Sequence, residues 1–271
     1  MHIVAKTDVG LVRKRNEDYF VLVPDHDLVV LCDGMGGHPG GDLASRLAAE
    51  EVQRTVLDGG DPPVLPGNLK QIESLAPFVD LILGVFAADQ ALRSYGRKHA
   101  EYQGMGTTLA ALQEHQGTLC AVHVGDSRVY VFRGGKLHQL TEDHSYIATL
   151  PEAARASFAG IRNILTRAVG VGDELEVDFS IGPAQANELY LLCTDGLHNY
   201  VSEERIAEVL AGQSDRESCL ATLIEDAKAG GGGDNITLAL AWVDKSPAKP
   251  AARVHGAVIS GPAGLNAHIQ S

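Results

Sequence analysis

Acidic side chains recur in this sequence at the points where apolar stretches end. Asp33 follows VVLC and Asp195 follows YLLCT, and each is followed at once by glycine. Asp126 comes directly after VHVG, and Asp234 stands just before the apolar run ITLALAWV. A rigid sheet could aim such strand-end carboxylates at one point, although an Asp-Gly pair taken alone is also typical of an ordinary turn.

Converging carboxylates would suit divalent cations. Mg²⁺ and Mn²⁺ prefer oxygen ligands in near-octahedral geometry, and clustered carboxylates repel each other unless a cation neutralises them. Two such ions about 4 Å apart would activate a water molecule and clamp an oxyanion. Arg13, in RKRNED beside Glu17 and Asp18, offers a guanidinium that suits phosphate, although the same stretch could be a solvated basic turn.

The bulk composition narrows the classes of partner. The 271 residues carry a net charge of −13 and a pI near 5.2, which disfavours binding to nucleic acid or to an anionic membrane. No apolar run approaches the roughly 18 residues of a membrane span, and no signal peptide is visible, so we expect a soluble, cytoplasmic protein. The four cysteines form no CxxC pair, which favours buried free thiols over a zinc site.

Hydrophobic periodicity predicts an α+β chain. Short connections between the first strand-like stretches imply antiparallel pairing, and three- to four-residue spacing after Asp42 indicates a helix. A second helix is expected from about 69 to 97, with Pro77 near a kink, and Ser202 opens another. Two antiparallel sheets packed face to face, with helix pairs outside, would use all the apolar faces.

The predicted domain organisation has three parts. Residues 1–245 are expected to form the folded domain, within which 142–163 lose periodicity and form a short surface flap. Residues 246–271 are rich in Ala, Pro and Gly and are expected to be a flexible tail.

Eight motifs in order carry a resemblance to a known family. They resemble the bacterial branch of the metal-dependent Ser/Thr protein phosphatases, the type-2C family, over residues 2–244. Eight ordered motifs are far more specific than any single Asp-Gly pair. The motifs are RKRNED, VVLCDGMGGHPGGDLAS, GMGTTL, HVGDSRVY, LTEDHS, NILTRAVG, LLCTDGL and GGGDNIT.

The resemblance implies a four-layer α-β-β-α sandwich with two Mn²⁺ or Mg²⁺ ions at one sheet edge. Asp33 looks like the carboxylate that bridges the two metals. Asp195 and Asp234 would hold the first metal. The carbonyl of Gly34 and the side chain of Glu17 would help hold the second, partly through water.

The same resemblance assigns roles to further residues. Asp126 matches the position linked to a third, weaker metal, and Arg13 matches the phosphate-binding arginine. Asp18 and Asn235 look like residues that orient waters and ligands, and Thr108 is a candidate for a similar role.

The implied reaction is direct hydrolysis of phosphoserine or phosphothreonine. A metal-bridging hydroxide attacks phosphorus in line, the metals and Arg13 offset charge on the phosphoryl oxygens, and no phosphoenzyme forms. The cysteines lack the loop context of a thiol nucleophile. The implied partners are phosphorylated proteins, among them a bacterial Ser/Thr kinase and its substrates.

Two features depart from the family pattern. Met35 stands where many relatives outside bacteria carry a histidine that is a candidate general acid, so the leaving group must be protonated by another group. Nearby His38 could do so or could be structural. The stretch between His144 and Arg162 is short, which leaves substrate selection by the flap open. Three further histidines have no metal-ligand spacing and are interpreted as structural: His123, His138 and His198.

Two other functions remain as alternatives. A non-catalytic pseudophosphatase that binds partners on the same fold should have lost some of the metal-binding carboxylates, and none of the main ones is missing here. A metal-dependent hydrolase of small phosphoesters would keep them all. The relative rates on phosphopeptides and on small phosphoesters distinguish this last alternative from a protein phosphatase.

Overall fold

Two antiparallel sheets lie face to face at the centre of the chain in a computed structural model. The structure describes residues 1–35, 40–59, 73–151, 164–213, 215–246, 253–261 and 264–270. The strands are β1 His2–Asp8, β2 Asp18–Val23, β3 Leu28–Met35, β4 Gly106–Thr107, β5 Leu109–His115, β6 Thr118–Val124, β7 Arg128–Arg133, β8 Lys136–Gln139, β9 Glu176–Pro183, β10 Leu189–Cys193, β11 Ile236–Trp242, β12 Val254–Gly261 and β13 Gly264–Gln270. The α-helices are α1 Gly41–Asp58, α2 Val79–Lys98, α3 Asp195–His198, α4 Glu203–Gly212 and α5 Arg216–Ala229.

The strand order places β3 and β10, which lead into Asp33 and Asp195, inside their sheets and not at an edge. The smaller sheet has the order β1-β11-β10-β7-β8, and the larger has the order β13-β12-β9-β6-β5-β3-β2, with β4 paired to β3. All the strand pairs are antiparallel. Strands β3 and β10 therefore have neighbours on both sides, which fixes the direction in which their ends point.

The alternation of side chains along β3 explains why residues 28–32 are all apolar. Val29 and Leu31 face the core between the two sheets, whereas Val30 and Cys32 face the core between the larger sheet and helices α1 and α2. A strand that is buried on both faces needs apolar residues throughout, because successive side chains point to opposite faces. The polar residue Asp33 then marks the point where the strand leaves the core.

Helices cover both outer faces of the sheets. α1 and α2 pack against each other and on the larger sheet, through residues such as Val52 and Val85. α4 and α5 cover the smaller sheet through Ile206 and Leu223. The layers therefore follow the order helix, sheet, sheet, helix, which confirms the predicted four-layer α+β sandwich.

The second helix begins later than the sequence indicated. A 3-10 turn, Glu73–Phe78, contains Pro77 and precedes α2, because proline has no N–H to donate to a preceding turn. Residues 69–72 of the predicted helix lie outside the described residues. Leu75–Lys98 is long and apolar enough to cross a membrane by length and composition alone. Its apolar face is buried against α1 and the sheet, as in the core helix of a globular domain.

The C-terminal segment differs from the predicted flexible tail. β12 pairs antiparallel with β9 and β13 pairs with β12, which extends the larger sheet at its edge. Val258 is fully buried in the core between the larger sheet and helices α1 and α2. The Ala-, Pro- and Gly-rich composition suggested a tail, but the β-branched residues of VHGAVIS supply enough apolar surface to add a strand. Residues 247–252 lie outside the described residues, as do 152–163 of the predicted flap.

Replacing Val258 by alanine tests whether β12 contributes to the fold. Val258→Ala should lower the free energy of unfolding by about 2 kcal/mol, since it removes two buried carbon groups and leaves a cavity. Urea unfolding of the full chain measures this change. His255→Ala, at an exposed position of the same strand, is the matched control and should change little. Equal stability of the Val258→Ala protein and the wild type would support the flexible tail instead.

Candidate active site

A cleft of about 300 Å³ opens where the ends of several strands meet. The acidic residues predicted for metal binding face it, together with the predicted phosphate-binding arginine. Of the site residues predicted from sequence, Asp18 alone is absent from its lining. The lining residues are Arg13, Glu17, Asp33, Gly34, Met35, Thr108, Asp126, Leu165, Asp195, Asp234 and Asn235.

Backbone pairing fixes Asp33 at the end of β3. Its N–H donates to Thr108 Oγ1 at 3.0 Å, and its carbonyl accepts from the Thr108 N–H at 2.9 Å. Thr107 Oγ1 also donates to the Asp33 carbonyl at 2.8 Å, and Ser127 Oγ lies 2.7 Å from Thr108 Oγ1. Thr108 therefore orients Asp33 through its backbone, and both backbone groups of Asp33 are satisfied.

Glycine at position 34 allows two chain segments to approach closely. The Gly34 N–H donates to the Glu17 carbonyl at 3.0 Å, and a Cβ on Gly34 would lie 2.0 Å from the carbonyl oxygen of Gly41. A Cβ on Gly41 would lie 2.8 Å from Glu17 Oε2 and 3.0 Å from the Gly34 carbonyl oxygen. Glu17 Oε2 and the Gly34 carbonyl oxygen therefore both lie close to Gly41. This close approach requires glycine at positions 34 and 41, because a Cβ at either would clash.

Asn235 holds the loop that carries Arg13 and Glu17. Its Oδ1 accepts from the Glu17 N–H at 2.8 Å, and its Nδ2 donates to the carbonyls of Val9 and Arg15 at 3.0 and 2.9 Å. The side chain is buried, so these bonds form away from competing water. The predicted orienting role of Asn235 thus takes a specific form, in which one amide fixes the path of the loop before β2.

Asp195 and Asp234 approach the cleft from the smaller sheet. Asp195 is the first residue of α3; its Oδ2 accepts from Asn199 Nδ2 at 3.0 Å, and its buried Oδ1 has no hydrogen-bond partner among the described residues. Asp234 Oδ2 accepts from Arg13 Nη2 at 2.8 Å. Arg13 is nearly half exposed, so this ion pair lies at the mouth of the cleft.

Asp18 lies beneath the cleft. It is paired with Asp33 in the β2–β3 register and is buried. Its Oδ2 accepts from Thr237 Oγ1 at 2.6 Å and from Thr194 Oγ1 at 3.0 Å, whereas its Oδ1 has no partner within the described part of the chain. Burial, together with the neighbouring carboxylates, raises the pKa of Asp18 to about 7 despite these two bonds.

The electrostatics of the cleft are those of crowded acids. Burial raises the pKa of Asp33 well above its usual range, and the charges of Asp18 and Asp195 raise it further. The pKa of Asp126 is raised to about 7 by burial and by Asp195, and the pKa of Asp195 to about 6 by burial and by Asp234.

This donor set fits hard divalent cations. Every charged oxygen that faces the cleft is a carboxylate oxygen, and the Gly34 carbonyl adds a neutral one. Asp195 Oδ1 is buried without a partner in the described structure, a position that costs free energy unless a cation or water fills it. Cations bound here would remove the repulsion that raises the carboxyl pKa values.

Two histidines outside the cleft support the Asp126 turn. His198 Nε2 donates to the Asp126 carbonyl at 3.0 Å, and burial lowers the pKa of His198 to about 4, so the ring is neutral. The Gly125 N–H donates to His144 Nδ1 at 3.1 Å. Sequence reasoning did not single out either contact, because it depends on side chains that meet only in the folded chain.

His123, His144 and Asp178 form a separate polar cluster whose ligand atoms lie within 4.8 Å of one another. Both ring nitrogens of His144 are already used, Nδ1 by Gly125 and Nε2 by Asp178 at 3.2 Å. The Arg167 guanidinium also lies 3.2 Å from His144 Nε2 and 2.9 Å from Asp178 Oδ1. Because the two imidazole rings are stacked and a cation already sits beside them, this cluster is better suited to hydrogen bonding than to a metal.

The described lining of the cleft contains no histidine and no cysteine. Met35 lines it at the position where a histidine could have served as a general acid, and His38 lies outside the described residues. Leu165, at the C-terminal root of the flap, also faces the cleft. The role of Leu165 was not predictable from the sequence, since an apolar residue in a loop carries no chemical signature.

Comparison with known proteins identifies the family. The family model described as Protein phosphatase 2C matches residues 12–220, which is most of the chain. The chain belongs to the protein phosphatase 2C family. The match contains the segments that carry Arg13, Asp33, Asp126 and Asp195, and Asp234 lies just beyond it.

The relatives are bacterial Ser/Thr phosphatases. The chain is 36% identical over 248 residues to the serine/threonine protein phosphatase PstP of Mycobacterium tuberculosis, covering 90% of this chain and 45% of that protein. It is 34% identical to the serine/threonine phosphatase stp of Listeria monocytogenes, covering 89% of this chain and 95% of that protein. The chain thus spans about half the length of the mycobacterial relative and nearly all of the listerial one.

A solved structure supports the fold. The catalytic domain of the phosphatase PstP, described as a complex with 2 manganese ions, superposes with a TM-score of 0.72 at 36% identity. The superposition covers 88% of this chain and 96% of that domain. The sandwich described above is therefore that of the family's bacterial members.

The stabilisation of the folded chain by bound Mn²⁺ should increase with pH. Carboxyls whose pKa is raised to about 6 or 7 in the folded chain stabilise it at low pH, and this contribution is lost as the pH rises through those values. Mn²⁺ should therefore raise the Tm of chelator-treated protein more at pH 8 than at pH 5.5, by on the order of 5 °C at saturation. Thermal scans with and without Mn²⁺ measure this difference. A Tm shift that is equal at both pH values would contradict the crowding of these acids.

Proposed function

We propose that this chain is a metal-dependent protein phosphatase that hydrolyses phosphoserine and phosphothreonine directly, without a phosphoenzyme. The observation that carries the proposal is the meeting of carboxylates from widely separated segments in one cleft, beside a partly exposed arginine. Membership of the protein phosphatase 2C family and the named activities of its bacterial relatives support the same reaction.

Two divalent cations are assigned to the cleft, Mn²⁺ or Mg²⁺. Asp33, at the end of β3, faces the cleft and would hold both ions. Asp195 and Asp234 would hold one ion with it, and the Gly34 carbonyl and Glu17 would hold the other, partly through water. The relative whose structure is described with 2 manganese ions supports this number. Bound cations would supply Lewis acidity, activating water as the nucleophile and offsetting charge on the phosphoryl oxygens.

Asp126 is proposed to help hold a third, weaker cation together with Asp195. Both residues line the same cleft, and the charge of Asp195 raises the pKa of Asp126 further above its usual range than burial does alone. The carbonyl of Asp126 is held by His198, so the turn is fixed whether or not an ion is present.

Arg13 is assigned to the substrate phosphate. Its guanidinium bonds Asp234 through Nη2 alone and stays partly exposed, so other N–H groups remain for phosphoryl oxygens. Asn235 holds the loop that carries Arg13, and Thr108 fixes the backbone of Asp33. Asp18 is paired with Asp33 in the β2–β3 register and is itself held by the hydroxyls of Thr237 and Thr194. These residues would position the reacting groups without touching the substrate.

Thiol chemistry is disfavoured by the placement of the cysteines. All four are buried, and burial raises the pKa of Cys193 to about 12 and that of Cys32 further. A protonated thiol in a core is a poor nucleophile. The pseudophosphatase alternative is also disfavoured, because every predicted metal-binding carboxylate is present and faces one cleft.

The proposed substrates are proteins phosphorylated by a bacterial Ser/Thr kinase, the kinase itself among them. The net charge of −13 supports neither nucleic acid nor an anionic membrane as a partner. Cytoplasmic location is proposed with these substrates, since Ser/Thr phosphorylation uses cytoplasmic nucleotide. Residues 1–245 are proposed as the catalytic domain, with β12 and β13 as an added edge.

Asp33→Asn should separate activity from stability. The rate of Mn²⁺-dependent phosphopeptide hydrolysis should fall roughly 100-fold or more, because the central ligand loses its charge. The metal-free variant should nevertheless be at least as stable as the metal-free wild type, because one of the mutually repelling acids has been removed. Phosphate release and thermal unfolding measure the two effects.

Asp25→Asn is the matched control for this experiment, since Asp25 is an exposed residue in the turn between β2 and β3. Its activity should equal that of the wild type. Full activity of Asp33→Asn, or no Mn²⁺-dependent hydrolysis of any phosphopeptide by the folded wild type, would contradict the proposed function.

A further inference from the structure

A second groove lies directly beside the metal-binding cleft. It has a volume of about 350 Å³ and shares Met35 and Leu165 with the cleft, so the two cavities are continuous. Apolar side chains line it together with the charged residues Arg167, Glu174 and Glu176. The other lining residues are Thr166, Ala168, Val171, Gly172, Leu175 and Ile259.

The wall of this groove is anchored to helix α2. Gly170 donates its N–H to Asp89 Oδ1 at 2.8 Å, and the Arg93 guanidinium donates to the Gly172 carbonyl. Asp89 and Arg93 are themselves paired at 2.7 Å, one helical turn apart. The 170–172 segment is therefore held in place before any ligand arrives, and a preformed groove reduces the entropic cost of binding.

The rim of the groove near Glu174 carries an excess of negative charge. Arg167 is neutralised by Glu176 at 2.8 Å and by Asp178 at 2.9 Å. Glu174 is exposed, and the ion pairs found among the described residues do not include it. Asp173 beside it is also exposed. The available charge at the rim is thus that of an acid, which complements a lysine or arginine on the ligand.

Exposed apolar side chains are concentrated around the two cavities. Leu11 and Val12 immediately precede Arg13, and Ile164 immediately precedes Leu165. Tyr146 is exposed and bonds the Ile164 carbonyl through its N–H at 2.7 Å, while Val171 lines the groove. Apolar surface that faces water next to a polar catalytic cleft is typical of a site that binds a polypeptide. A small phosphoester would fill the cleft and leave this surface exposed.

We propose that this groove binds the segment of a phosphoprotein substrate next to the phosphorylated residue. An apolar side chain of that segment packs against Met35 and Val171, and a lysine or arginine further along it pairs with Glu174. The substrate class is therefore phosphoserine or phosphothreonine flanked by apolar and basic residues. This inference rests on the proposed function, because it places the phosphate at the adjoining cleft.

Charge reversal at Glu174 tests the proposal. Paired phosphopeptides differ only in carrying lysine or glutamate at one position, scanned over the four residues on each side of the phosphoserine. The wild type should hydrolyse the lysine peptide with a kcat/KM about threefold or more above that of its glutamate partner at one position or more. Glu174→Lys should abolish or reverse that ratio. The rate on p-nitrophenyl phosphate should stay unchanged, which also shows that the variant is folded.

Glu50→Lys, at an exposed position on α1, is the control for net charge and should keep the wild-type ratio. A second variant, Val171→Ser, should reduce kcat/KM for peptides with a leucine beside the phosphoserine relative to those with serine there.

Peptide turnover with the same lysine-to-glutamate ratio in wild type and Glu174→Lys would overturn the assignment of the groove while leaving the proposed function intact. An equal change of the ratio in Glu50→Lys would overturn it as well, since the preference would then follow net charge. Absence of peptide turnover by every variant, with p-nitrophenyl phosphate still hydrolysed, would overturn both.

Discussion

The folded chain holds several carboxylates close together against their mutual repulsion, and the rest of the site depends on how it does so. Asp33 and Asp195 face one cleft although they come from different sheets. Burial raises the pKa of both carboxyls when no cation is present, and the charges of neighbouring acids raise it further. A divalent cation neutralises these charges, so the arrangement that destabilises the metal-free chain becomes a metal-binding site. Metal occupancy, stability and chemistry therefore depend on one set of charges.

The sandwich provides the rigidity that this crowding requires. Two sheets contribute opposite walls of the cleft, and each acidic strand end is continuous with a buried apolar strand. Asn235 and Thr108 satisfy backbone groups of the loops in between, so the loops cannot relax away from the acids. Helix pairs on both outer faces then bury the remaining apolar surface and fix the sheets against each other.

Much of this could be predicted from the sequence because the relevant signals are local. Apolar runs that end in Asp-Gly identified Asp33 and Asp195, and hydrophobic periodicity indicated the helices and the layered fold. The contacts that fix the site were not predictable in detail. The amide of Asn235 reaches a loop more than two hundred positions earlier, and Asp18 is met by Thr194, just after β10, and by Thr237 in β11. Such contacts depend on register, which no single segment encodes.

The C-terminal segment shows what composition alone leaves out. Composition favoured disorder for residues 246–271, but pairing with the free edge of β9 allows a weakly patterned segment to form β12. The gain comes from backbone hydrogen bonds and from one buried valine, neither of which appears in a composition. The added strand also brings Ile259 to the groove beside the cleft. Part of the surface that we assign to substrate binding therefore lies outside the family motifs.

Anomalous scattering from crystals grown with Mn²⁺ would locate the metal and so test most directly whether these carboxylates bind cations. We expect two ions at Asp33, one contacting Asp195 and Asp234 and the other near Glu17 and the Gly34 carbonyl. Crystals saturated with Mn²⁺ in which the carboxyl groups of Asp33, Asp195 and Asp234 contact no ion would contradict this expectation.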